Sequence, residues 1–137
     1  MLLGFAIWTV LLLFGSVGVY RWSRILTKRV QIKEFRADQI EGHDWYQRAM
    51  RAHANCIENL PIFTAIVFAL YVADIGSETI NRLSIVILIA RILQSSVHVL
   101  FEQTNTVAMF RFIFYFIQII CFLWLAVNIV VAVAIST

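Results

Sequence analysis

Residues 51–63 read RAHANCIENLPIF, and the apolar run that begins inside this stretch, Leu60 to Ala73, is only 14 residues long. A helix that crosses about 30 Å of hydrocarbon needs roughly 20 predominantly apolar residues. A spanning helix here must therefore start upstream of Leu60. Arg51, His53, Asn55 and Glu58 then lie within it, at or below the bilayer surface, and not in a preceding loop. This stretch bears on both the fold and the location of any site.

The rest of the chain supports a membrane setting. Of 137 residues, 61% are hydrophobic and 14% charged, and the mean hydropathy is +0.84. A soluble domain this small has too little interior for so much apolar surface, so part of its solvent must be lipid. The length allows one domain, residues 1–137, and one proline and five glycines leave no long flexible linker. Cys56 and Cys121 both fall in apolar segments and are expected to be free buried thiols, without a disulfide framework. The net charge of +3 is concentrated locally: segment 21–51 holds eight of the eleven Lys/Arg residues, Arg21, Arg24, Lys28, Arg29, Lys33, Arg36, Arg48 and Arg51. Next to an apolar span such a cluster is a topology signal, and no basic patch interleaved with aromatics occurs elsewhere, which argues against nucleic acid.

Four spans are predicted, at about 2–20, 48–73, 80–101 and 107–135. The first lacks a basic leader and a small-residue cleavage site before Arg21, so it reads as an uncleaved helix. The connection around Glu102 to Thr106 is short enough to make spans 3 and 4 an antiparallel hairpin. The expected fold is all-α: an up-down, integral membrane four-helix bundle. The basic 21–51 segment should face the cytoplasm together with the 3–4 turn, and both termini the opposite side.

At about 100° per residue, Arg48, Arg51, Asn55 and Glu58 share one face about 80° wide, and His53 points to the other side. Pro61 follows and can bend the helix by removing its hydrogen bond to the Ile57 carbonyl. Span 3 presents Arg91, Ser95, His98 and Glu102 within about 60°, with Gln94 at the margin, and span 4 presents Arg111, Tyr115 and Gln118. An ionisable group at mid-bilayer costs about 2.5–3.5 kcal/mol on insertion scales, so such residues face protein or water. One reading is structural, with Glu58 paired to Arg91 or Arg111 to tie the helices together. It leaves Arg48, Arg51, Asn55, Tyr115 and His98 without a role. Arginines grip carboxylates and a glutamate grips an ammonium, so the set suits a small zwitterion with more than one carboxylate. The apolar surroundings suit a lipophilic second substrate. His43, His53 and His98 lack metal-ligand spacing, so no metal site is expected.

RAHANCIENLPIF resembles the signature of the membrane-associated proteins of eicosanoid and glutathione metabolism, the MAPEG family. The likeness continues in ARILQSSVH (90–98) and RFIFY (111–115). It implies a homotrimer with glutathione bound between subunits at the cytoplasmic end. It also implies that Arg51, Asn55 and Glu58 hold the glutathione backbone, that Arg111 lies near the sulfur and that Tyr115 belongs to the same pocket. Arg48, Arg91 and His53 complete the glutathione-binding set that the resemblance implies; His53 matches a family position, and, turned from the Arg51 face, it meets a neighbouring subunit or packs in the bundle. Ala54 stands where some members have another arginine, and His98 where several have tyrosine. The chain resembles bacterial members, which implies an inner-membrane location. The activity implied is a glutathione transferase that attacks lipophilic electrophiles or reduces lipid hydroperoxides. The alternatives are a non-catalytic lipid-binding protein of the same fold and a structural subunit of a larger membrane complex.

Overall fold

The computed structural model describes residues 1–32, 35 and 42–136. Lys33 and Arg36 of the basic segment, and Thr137, lie outside the described residues. The four helices are α1, Leu2–Leu26; α2, Asp44–Val72; α3, Glu78–Leu100; and α4, Asn105–Ser136. Each is long and apolar enough to cross a membrane, and among the described residues there is no strand.

The boundaries differ from expectation at two places, for local reasons. α1 continues past Tyr20 to Leu26. Its last turns carry Arg21, whose Nε donates to the Tyr46 hydroxyl at 2.8 Å, and Arg24, whose guanidinium lies 4.8 Å from the Tyr20 ring centroid. These arginines keep their charge at the helix end while their stems cover apolar surface. α2 starts at Asp44, one turn earlier than expected, with an acid in its first turn where the helix dipole favours it. It runs unbroken through Pro61 to Val72.

The turns read directly from the sequence. Asp74 adopts φ +52° just after α2, and the Ser77 hydroxyl caps α3 by accepting the Ile80 N–H at 3.2 Å. Thr104 does the same for α4, accepting from Val107 N–H at 3.2 Å. The α3–α4 connection is only Phe101–Thr104, so these helices form the expected antiparallel hairpin and the most extensive pairing in the bundle.

α2 packs through a face of small residues: Ala49, Ala52 and Cys56 are all buried. Small side chains let helix backbones approach closely where lipid supplies no hydrophobic drive between them. Further along, Phe63 bridges α1 and α4, its ring 5.8 Å from Phe5 and 6.0 Å from Phe122. Cys56 and Cys121 are free and buried, as expected.

Buried amides and hydroxyls hold the helices in register. Trp8 Nε1 on α1 donates to Ser95 Oγ on α3 at 2.8 Å. Gln118 Nε2 on α4 donates to Gln94 Oε1 on α3 at 3.0 Å, and Gln94 Nε2 donates to the Arg111 carbonyl at 3.3 Å. Gln118→Leu strands the Gln94 carbonyl, and is expected to cost about 1–3 kcal/mol. Adding Gln94→Leu should recover part of that loss, because two apolar partners leave no buried amide unsatisfied. Thermal unfolding of the two single variants and the double variant in detergent checks the coupling.

Candidate functional site

A cavity of about 510 Å³ opens between α2, α3 and α4. Asn55, Glu58 and Asn59 reach it from α2, Arg91 and Gln94 from α3, Arg111 and Tyr115 from α4, and Gln103 from the α3–α4 turn. Ile62 and Phe112 supply apolar wall. The helices bring these groups together because α3 and α4 run antiparallel. Gln94 and Arg91 sit about 9 and 13 Å from the C-terminal end of α3, and Arg111 and Tyr115 about 9 and 15 Å from the N-terminal end of α4.

The charged groups are poorly satisfied within the protein. Arg91 is 1% exposed, yet its Nε and Nη2 are buried without a hydrogen-bond partner. Its guanidinium lies 5.5 Å from the Phe5 ring centroid. The Nε of Arg111 is likewise buried and unpartnered. Among the described residues the one ion pair is Arg82–Glu78, on exposed side chains. Glu58 therefore pairs with neither Arg91 nor Arg111, and the tying ion pair weighed above is not formed.

Five of the eight residues singled out by sequence meet at this cavity: Asn55, Glu58, Arg91, Arg111 and Tyr115. Arg48 and Arg51 do not line it. They line an adjoining cavity of about 330 Å³ with Asp44, Gln47, Glu102 and Gln103. Gln103 belongs to both, so the two spaces meet at the α3–α4 turn. His53 lines neither cavity; it is half-buried and interacts with the backbone of Thr9 on α1. The wheel placed it away from the arginine face, and the structure agrees. His98 is 2% exposed with its Nδ1 unpartnered, within electrostatic range of Arg111, Arg51 and Arg48. Glu102 lies beyond the end of α3, in the turn, and so drops out of that helix's stripe.

The sequence reading missed Asn59 and Gln103. Asn59 was legible, since it lies one turn beyond Asn55, and its Nδ2 donates to the Asn55 carbonyl at 2.8 Å. Gln103 sits in a turn, where helical periodicity says nothing. No group of three or more His, Cys, Asp or Glu side chains suited to a metal ion occurs among the described residues.

Four helices long and apolar enough to cross a membrane, with an open cavity of mixed polar and apolar lining between three of them, define a multi-pass integral membrane protein. The chain belongs to the MAPEG family, whose model matches residues 1–131. Comparisons with curated proteins and with solved structures returned no match.

Proposed function

We propose that the protein is a membrane-bound glutathione transferase. It activates the glutathione thiol as a thiolate for attack on lipophilic electrophiles, or for reduction of lipid hydroperoxides. The observation that carries this reading is the pair of arginines, Arg91 and Arg111, with buried, unpartnered N–H groups at one cavity. Such donors are costly to bury unless something satisfies them. Glutathione has two carboxylates, one ammonium and one thiol. Arg91 and Arg111 in the main cavity, and Arg48 and Arg51 in the adjoining one, suit the anionic groups. Glu58 suits the ammonium, and Asn55 supplies an amide for the peptide backbone.

In this reading Arg111 stabilises the sulfur anion, while Tyr115 helps close the pocket around the thiol. The thiol proton leaves to water at the mouth. The thiolate then forms an S–C bond with the electrophile, and the displaced electron pair leaves with the leaving group or takes up a proton. With a hydroperoxide, the thiolate attacks the terminal oxygen and the O–O bond breaks. Alcohol departs after protonation, and the resulting sulfenic acid condenses with a second glutathione to give disulfide and water. His53, turned toward α1, has a packing role in this scheme.

The assembly we propose is a homotrimer. Arg51 and Glu58 are exposed on α2, and Glu58 lies within a helix long and apolar enough to cross a membrane, where a charge left facing lipid costs about 2.5–3.5 kcal/mol. A neighbouring copy packed on that face removes the exposure and completes the site. The basic end, from Arg21 to Arg51, faces the cytoplasm of a bacterial inner membrane, and both termini face away from it.

The test is incubation of purified protein with glutathione and a panel of lipophilic electrophiles and hydroperoxides, with products identified by mass spectrometry. A glutathione adduct, or alcohol with glutathione disulfide, is expected. Glutathione binding with no product from any member returns the non-catalytic alternative. Glu58→Gln should raise the glutathione Kd about tenfold, the size of one charge-assisted hydrogen bond, with little change in turnover at saturation. Calorimetric titration checks the affinity.

A further inference from the structure

Away from the α2–α3–α4 cavity, α1 departs from α-helical geometry. Leu13–Gly18 forms a π-turn, and such turns are rare and concentrate at functional positions. The turn borders an apolar groove of about 300 Å³ between α1 and α3, with Trp8, Leu11 and Gly15 on one wall and Val99 and Leu100 on the other. A Cβ built on Gly15 would meet nothing within 4 Å, so the groove is open space there.

Trp45, near the start of α2, closes one end of this groove, and the same side chain lines a second cavity beyond it. The second cavity is polar. It carries Arg24, Arg48, Asp44 and Glu102, with His43 beside them. It lies where α1 ends, α2 begins and α3 ends, which is the membrane–water interface on any placement of four spanning helices. A tryptophan between an apolar groove and a charged cavity occupies the level of a lipid backbone. Among the described residues none of the four charges is ion-paired to another, and the Arg48 Nε is buried without a partner.

We propose that the groove and the charged cavity together bind one phospholipid whose head carries both a phosphate and a primary ammonium. An acyl chain lies along Gly15 between α1 and α3. The phosphate meets Arg24 and Arg48, and the ammonium meets Asp44 and Glu102. Two guanidiniums and two carboxylates match a zwitterion better than an anionic head, which the carboxylates repel. A primary ammonium donates hydrogen bonds to carboxylates, and a quaternary one has none to donate. The charged cavity shares Arg48, Asp44 and Glu102 with the adjoining cavity that also holds Arg51, whereas the apolar groove shares no residue with either cavity assigned to glutathione.

The test is native mass spectrometry of the intact protein released from bilayers of equal parts phosphatidylethanolamine, phosphatidylcholine and phosphatidylglycerol. The wild type is expected to retain the ethanolamine lipid about tenfold over either of the others. Gly15→Leu fills the groove, and Glu102→Gln removes one carboxylate from an exposed turn where folding is not at stake. Each should reduce that preference to less than about twofold. Equal retention of the three lipids, a preference for the glycerol lipid, or a preference that survives Glu102→Gln overturns the proposal. A change of oligomeric mass in Gly15→Leu also overturns it, because a second copy of the chain would then be what covers the groove.

Discussion

Arg111→Ala is expected to lower turnover about 100-fold at saturating glutathione while changing glutathione affinity no more than about threefold. An ordinary thiol has a pKa near 8.5, so only a few per cent is ionised at neutral pH. Lowering that value by about two units takes about 2.7 kcal/mol of preference for the anion. A guanidinium in a partly desolvated cavity can supply it, since opposite charge favours the ionised form. Arg111 occupies such a place: it is half-buried, its Nε bonds nothing in the protein, and it faces Tyr115 and Arg91 across one cavity. The assay is turnover against glutathione concentration, with affinity measured separately by calorimetry. Unchanged turnover would remove Arg111 from the chemistry. A loss confined to affinity would make it a binding residue only.

Arg91→Met should weaken glutathione binding about 10- to 100-fold, or about 1.4 to 2.7 kcal/mol, with the thermal midpoint in detergent unchanged or raised. The two readouts separate ligand binding from folding. A buried guanidinium with two unpartnered N–H groups is a poor way to stabilise a bundle, and its contact with the Phe5 ring is a small return. Replacing buried charge with an apolar side chain of similar volume is often neutral or stabilising. Protein that unfolds readily but binds normally would show that Arg91 serves the fold.

Much of this was legible in the sequence because a short apolar run forces a polar motif into the membrane. The length of Leu60 to Ala73 led to a helix beginning well before Leu60, and α2 starts at Asp44. The helical wheel placed Arg48, Arg51, Asn55 and Glu58 on one face. It could not place them at one depth. Arg51 and Glu58 are seven residues apart, about 10 Å of helix rise, and this separation puts the arginines in the adjoining cavity while Asn55 and Glu58 line the main one. Interhelical partners were out of reach for a related reason. Periodicity assigns Gln118 to a face, but only the crossing of α3 and α4 brings it to Gln94. The π-turn in α1 had no signature beyond the glycines Gly15 and Gly18, and glycine is frequent in membrane helices generally.

The central claim is that this cavity binds glutathione and ionises its thiol. The most direct measurement is a glutathione titration of the purified, detergent-solubilised protein at neutral pH, following thiolate absorbance in the ultraviolet. The account predicts a saturable thiolate signal in the wild type that disappears in Arg111→Ala while binding persists. Saturable binding with no thiolate in the wild type, or no binding at all, would contradict it.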